Sequence, residues 1–365
     1  MFPDFDYAAR LERARALMTE RAIDLLLLSV GADLPYFSGY EAMPLERLTM
    51  LVVPRTDQAT MVVPRLEAPR VESRGDAFAI RPWDEAEDPI EIVSSMAGKP
   101  STAAVGEPTW SVFLLGLQEH LHETLFVSAT AITRELRMRK EAAEIEWLRA
   151  AAEATDRVVA RLDRERFTGR TEREISRLVA DMTLEEGHDF ATFAIVASGP
   201  NAASPHHEAA DRVIGPGETV VVDFGGRHMG YCSDTTRTFH TGEPVPEVAE
   251  AFGVLERSQT AARSAVAPGA TAEAVDGAAR EVITEAGYGE RFVHRTGHGI
   301  GLEVHEHPYI VDGNRLALEP GMAFSIEPGI YTPGRWGMRI EDIVVCGPEG
   351  VDELNRSPRS LHIVG

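Results

Sequence analysis

Cysteine and lysine are scarce in this chain of 365 residues, and no apolar run is long. Two cysteines far apart, Cys232 and Cys346, exclude a disulfide framework, and without a CxxC pair they exclude a thiolate-held structural zinc. They fit a reducing, cytoplasmic setting. The longest apolar stretch, Ile23 to Val30, is broken by Asp24 and is too short to span a bilayer. The opening segment MFPDFDYAARLERAR carries acids early and no apolar core, so no secretory leader is expected. Only Lys99 and Lys140 are lysines among 36 basic residues, and the net charge is −22. Without a basic patch, binding to a nucleic-acid backbone is disfavoured. The acids are dispersed over the chain. They fit a solvated acidic surface, and more sharply a proteome adapted to molar salt, where screening offsets self-repulsion.

An apolar share of 44% is enough for a sizeable core, and the length predicts two domains. Residues 1–132 alternate helical and strand patterns. Helices are predicted over Tyr7–Glu20, Pro89–Met96 and Ser111–Leu121. Strands are predicted at Leu25–Val30, Leu48–Val53, Thr60–Val63, Phe78–Ile80, Ala103–Val105 and Leu125–Val127. That alternation predicts a small α/β domain, and no chemistry-bearing cluster falls in it. Residues 133–365 form the second predicted domain and open on one long charged helix, Thr133–Leu162. This region repeats itself. Gly169-Arg170-Thr171 opens a helix with Thr171 and Glu174 spaced as a capping box, and Gly269-Ala270-Thr271 opens another one hundred residues later. Each helix leads into a glycine-punctuated strand region, so two similar halves are expected.

Each half offers a hairpin with two acids. Asp223 ends the strand run that starts at Thr219, and Asp234 lies in the returning strand, read as Ser233–Phe239. Across such a hairpin, facing side chains lie only ~5 Å apart, and like charges so close call for a cation between them. Taken alone, the pair also fits a turn-capping aspartate beside a solvated one. In the second half, Glu327 and Glu341 flank a turn near Gly334. Arg339 shares a strand face with Glu341 and is expected to orient it, unless it is a surface arginine. Between the hairpins, His294, His298, His305 and His307 fall within the 17 residues Phe292–Pro308, out of 12 histidines in all. His206 and His207 form a further pair, and His206 precedes His305 by 99 residues, a similar place in the other half.

The segments DFGGRHMGYCSDTTRTF, HRTGHGIGLEVHEHP, FSIEPGIY and GMRIED resemble the pita-bread-fold metallopeptidases, in their proline-specific branch of aminopeptidase P and prolidase. The resemblance implies a creatinase-like N-terminal α/β domain ahead of a pita-bread catalytic domain of pseudo-twofold halves. It implies two divalent metal ions bridged by Asp234 and Glu341. Asp223 completes one site, and His298 and Glu327 complete the other. Four carboxylates and an imidazole suit Mn²⁺, with Co²⁺ or Zn²⁺ as substitutes. Glu327 is the implied general base, His305 the donor to the developing oxyanion, His206 a wall of the prolyl pocket and His294 a participant in proton traffic. Short peptides with proline second are the implied substrates, in a homodimer away from membranes. With all five ligands present, a non-catalytic binding module or a metal-free creatine-type hydrolase fits poorly. Methionine aminopeptidase lacks the N-terminal domain, and hydrolysis or lysis of a small osmolyte is a further alternative. A strict dipeptidase reads the second residue's free carboxylate, usually with an arginine. No basic residue follows His305 until Arg315, so the expectation leans to Xaa-Pro aminopeptidase over prolidase, with Arg315 or Arg335 as loop arginines within possible reach.

Overall fold

Four consecutive leucines, Leu25–Leu28, are buried on both faces and form the first strand, β1, of a computed structural model describing residues 3–365. The chain divides into two compact units, Met1–Arg137 and Met138–Gly365.

In the first unit, β1 lies at the centre of a mixed sheet with β2 (Met50–Pro54), β3 (Ala59–Pro64), β4 (Phe78–Trp83), β5 (Thr102–Val105) and β6 (Leu125–Ser128), in the order β4-β3-β2-β1-β5-β6. β2 pairs antiparallel with both β1 and β3, and the remaining pairs are parallel. The helices are α1 (Tyr7–Glu20), α2 (Asp33–Ser38), α3 (Pro89–Ala97), α4 (Ser111–His120) and α5 (Thr130–Met138). Side chains such as Leu27, Val52, Val62, Val93 and Leu117 form one apolar core here. The short α2 was not expected from the sequence; its Pro35 hides it, although proline is tolerated in a first helical turn.

The predicted single helix over Thr133–Leu162 is instead broken. After α5 the chain runs extended through Arg139–Glu141 and restarts as α6 (Ala142–Leu162). The break has three physical causes. Arg139 bridges to Met322, the Lys140 amide donates to the Gly321 carbonyl, and the buried Lys140 ammonium meets Glu306 at 2.5 Å. Glu141 and Glu144 then cap the new helix reciprocally.

Two halves follow. α6 and α7 (Glu172–Glu185) precede β7 (Phe190–Ser198), β8 (Thr219–His228), β9 (Tyr231–Cys232) and β10 (Thr235–Thr241). α8 (Pro246–Ser264) and α9 (Ala272–Glu285) precede β11 (Gly297–Gly299), β12 (Glu306–Ile310), β13 (Ala323–Ile326), β14 (Gly329–Thr332), β15 (Trp336–Arg339), β16 (Asp342–Gly347) and β17 (Gly350–Glu353). The last strand, β18 (His362–Val364), returns to pair with β10. The sheets run β18-β10-β8-β7 and β12-β11-β13-β16-β17, each over its own core. Thr171 and Thr271 cap α7 and α9 alike. Among the described residues one isolated bridge, Thr236 to Glu341, joins one sheet to the other, beside the Arg237–Asp342 ion pair. Among the described residues, no helix is long and apolar enough to cross a membrane.

Candidate metal centre

Asp223 sits mid-strand in β8, opposite Thr236 of β10. The hairpin turns at Met229-Gly230, both at positive φ, and its register carries Asp234 opposite Gly225. The two aspartates are therefore diagonal on one face rather than directly across, which corrects the expected pairing. Gly225 is dictated by this approach: a Cβ there falls 2.1 Å from the Ser233 carbonyl oxygen and 2.9 Å from the Phe193 ring.

In the second half, β13 with β16 and β14 with β15 share one register, and it sets Glu327 directly opposite Glu341. The bridge between sheets completes the cluster. The Glu341 amide donates to the Thr236 carbonyl, and the Thr236 hydroxyl donates to Glu341 Oε2 at 2.7 Å. Arg339 does not contact Glu341 directly. Its buried guanidinium binds Asp223 Oδ2 at 2.6 Å, the Tyr331 hydroxyl at 2.8 Å and the Thr236 hydroxyl at 3.1 Å. It orients Asp223 first, and Glu341 through Thr236.

His298 lies in β11, paired with Tyr309 of β12. Its Nδ1 faces the Gly299 carbonyl at 3.1 Å, which can only accept, so Nδ1 carries the proton. Its Nε2 lone pair then points at Glu327, Asp234 and Glu341, at 3.3, 3.5 and 3.9 Å. Burial, and then the neighbouring His305, push the His298 pKa down to about 3, so the ring is neutral. Burial pushes Glu327 up to about 7. Burial and the Glu341 charge hold Asp234 well above the usual carboxylate range, and burial and the Glu327 charge do the same to Glu341. Asp223 Oδ1 is buried with no hydrogen-bond partner.

Ligand atoms thus converge from both sheets. Ligand atoms of Asp223, Asp234 and Glu341 lie within 4.8 Å of one another, as do those of His298, Glu327 and Glu341 and those of Asp234, His298 and His305. Such a set fits divalent cations, and its oxygen-rich chemistry fits hard ones. The five side chains expected as ligands come together here.

The cluster opens on a cavity of about 590 Å³, walled on the apolar side by Phe193, Ile195, Pro205 and Val304. His206 and His305 are exposed at its rim, and the His305 ring lies 4.0 Å from that of His298. Burial, and then Arg295, lower the His305 pKa. His294 uses both ring nitrogens: Nδ1 donates to the Arg295 carbonyl at 2.7 Å, and Nε2 accepts from the Tyr331 hydroxyl at 2.8 Å. Burial, and then Arg339, drive its pKa to about 4. A linear chain results, His294–Tyr331–Arg339–Asp223.

Two buried acids, not anticipated from the sequence, hold the loops that carry these groups. Glu172, at the start of α7, accepts from the Ser198 amide and hydroxyl, the Asn201 side chain, the Ala210 amide and His207. Asp276 of α9 accepts from the Thr296 amide and hydroxyl and from Arg280, which also binds the carbonyls of Phe292 and His294. Glu172 opens α7, whereas Asp276 lies just past the first turn of α9, so the two share no position that spacing would flag.

Comparison with known proteins agrees with this geometry. Residues 146–348 match the model of metallopeptidase family M24, and residues 10–139 match the creatinase/prolidase N-terminal domain. The chain is 47% identical over 363 residues to a probable dipeptidase, PepE, of Mycobacterium tuberculosis, covering 98% of this chain and 96% of that one. It is 37% identical over 368 residues to an Xaa-Pro dipeptidase of Lactobacillus helveticus, covering 97% and 98%. The crystal structure of dipeptidase PepE from Mycobacterium ulcerans superposes with a TM-score of 0.94 at 46% identity, covering 99% of this chain and 100% of that one. With the acid-rich centre shared between its two sheets and an N-terminal creatinase-type unit ahead of them, this chain belongs to metallopeptidase family M24.

Proposed function

We propose that the protein is an Xaa-Pro dipeptidase that holds two divalent metal ions, Mn²⁺ first among them, on Asp223, Asp234, His298, Glu327 and Glu341. Supporting the metal set most directly is the neutral His298, whose Nε2 lone pair faces three carboxylates. Relatives matched over nearly their whole length are named dipeptidases, and this favours the dipeptidase alternative over the aminopeptidase expected from the sequence. In this reading Asp223, Asp234 and Glu341 would hold one ion, and His298 and Glu327, with the same Asp234 and Glu341, would hold the other. When bound, the ions supply Lewis acidity to the scissile carbonyl and to water.

The chain's own groups do the rest. Glu327 lines the cavity, with Oε1 held by the Ser325 hydroxyl at 3.1 Å, and is placed to take a proton from the attacking water and return it to the leaving proline nitrogen. His305 is neutral near pH 7 and donates an N–H to the oxygen that gains charge. His206, with Pro205, Phe193 and Ile195, walls the site of the prolyl ring. His294 buttresses Tyr331 and Arg339; with both nitrogens engaged it is a positioning group rather than the proton carrier first expected. A homodimer in the cytoplasm accords with the family resemblance. A salt requirement accords with the net charge of −22.

Hydrolysis of Ala-Pro and of Ala-Pro-Ala with Mn²⁺, at high and low KCl, tests the reading against an Asp234→Asn control. The dipeptide is cleaved, the tripeptide is spared and the control is inert. Ready cleavage of the tripeptide returns the assignment to an aminopeptidase. Cleavage of neither, in folded metal-loaded protein, removes the proline assignment and points to small osmolyte amides.

A further inference from the structure

Among the described residues the His305 ring makes no hydrogen bond; it stands exposed at the cavity rim, 4.0 Å from the ring of His298. A donor to a developing charge works best when it is fixed in advance. For His305 that restraint has to come through the chain. His305 lines the cavity, whereas the next residue, Glu306, turns inward, is 8% exposed and meets the Lys140 ammonium at 2.5 Å.

Both ends of this pair are anchored. Lys140 is one of only two lysines, and its side chain is 1% exposed. Its amide donates to the Gly321 carbonyl, and its own carbonyl oxygen would lie 2.9 Å from a Cβ on Gly321. Before it, Arg139 binds Glu319 at 2.7 and 2.8 Å; after it, Glu141 caps α6. At the other end Glu306 pairs with Gly299, the residue after His298, where the register between β11 and β12 shifts. The two charges are tightly packed. A Cβ on Gly301 would fall 2.5 Å from Glu306 Oε1 and 3.0 Å from Lys140 Cε, so this glycine, which opens the loop over 301–305, is dictated by the pair. The Gly301 carbonyl in turn accepts from the Cys232 amide. Neither charge can leave the other without standing buried and unpaired. Apolar side chains of similar volume would serve stability as well. What the ion pair adds is one short distance between two fixed stretches of backbone.

We infer that Lys140 is a positioning residue for His305: through Glu306 it pins the chain where the 301–305 loop ends, and so fixes where the His305 ring stands over the centre. The inference rests on the reading of His305 as donor to the oxyanion. Lys140 does not line the cavity and acts through the Glu306 backbone. A role of this kind shows in the rate of the chemical step rather than in the hold on substrate.

The test is a double-mutant cycle of Lys140→Met with His305→Ala, on the Mn²⁺-loaded full chain with Ala-Pro as substrate. His305→Ala lowers kcat roughly 100- to 1,000-fold, as for the loss of one oxyanion donor. Lys140→Met lowers kcat roughly 10- to 100-fold and changes KM little; in the His305→Ala background the same substitution costs less than about twofold. Bound metal, measured by elemental analysis, stays at the wild-type level. In metal-free protein the His305 ring signal, identified by NMR from its absence in His305→Ala, shifts in Lys140→Met. Equal losses in both backgrounds overturn the inference, as does a loss of bound metal that matches the loss of rate. His305→Ala with wild-type kcat defeats the oxyanion reading itself, a different result. Should Lys140→Met fold poorly, Lys140→Met combined with Glu306→Leu removes both charges and regains stability. The loss in kcat then persists. Recovery of kcat together with the melting temperature assigns the pair to stability alone and refutes the positioning role.

Discussion

Raising the pH from 6.5 to 7.5 lowers the melting temperature of the metal-stripped protein. Burial holds Asp234 and Glu341 well above the ordinary carboxylate range, helped by the Glu341 charge at Asp234 and by the Glu327 charge at Glu341, and Glu327 is pushed up to about 7. An acid whose folded pKa is raised stabilises the fold below its unfolded pKa, and that contribution is lost as pH climbs through the folded value. Each carboxyl protonated in the fold but ionised in the unfolded chain costs about 1.4 kcal/mol per pH unit. Two such carboxyls set a ceiling of about 3 kcal/mol over the interval, with Glu327 adding a smaller share as it finishes titrating. For a unit of this size each kcal/mol lost is a fall of roughly 2–4 °C. The window matters. Below pH 6.5 the buried His188, His294 and His298, depressed to about 4, 4 and 3, act with the opposite sign, because stability falls as pH drops from 6.5 towards those values. Scanning calorimetry after chelation, with and without Mn²⁺, reads the effect. The ion keeps its ligands ionised, so its stabilisation grows with pH. An apo protein whose melting point is flat or rises across this window refutes the account, as does an Asp234→Asn, Glu341→Gln double variant that keeps the full slope.

Arg339→Met leaves Asp223 buried without its cation; metal affinity measured by competition with a chelator falls about 10- to 100-fold, and Lys does not restore it. Glu172→Ala strips the acceptor from the loop over 198–210, and KM for Ala-Pro rises more than kcat falls, with a stability loss of about 2–4 kcal/mol in urea unfolding. Gly225→Ala forces a methyl group against the Ser233 carbonyl and separates the aspartates; soluble yield and metal content, measured by elemental analysis, both drop.

The four carboxylates of the centre were legible because hairpins translate spacing into position, while His298 joined them through the family resemblance of its segment. A turn at Met229-Gly230 or near Gly334 brings two carboxylates together whatever lies elsewhere. What spacing cannot supply is a partner from the other half. Face alternation correctly grouped Arg339 with Glu341, yet the guanidinium turns to Asp223, which the opposing sheet delivers. Thr236 has the same history, lying inside a recognised segment while its role depends on the bridge to Glu341. The helix break at Arg139–Glu141 was hidden because the pattern there is uninterrupted; only the distant Met322 and Glu306 pull the chain out of the helix.

The bridge between Thr236 and Glu341 joins groups made at very different times during synthesis. A nascent chain that has emerged as far as Asp234 holds just the diagonal aspartates, while His298, Glu327 and Glu341 are still to come. The core of the first half is itself closed only by Phe239 and by Val364 of β18, so neither that core nor the centre is complete until Val364 has been made.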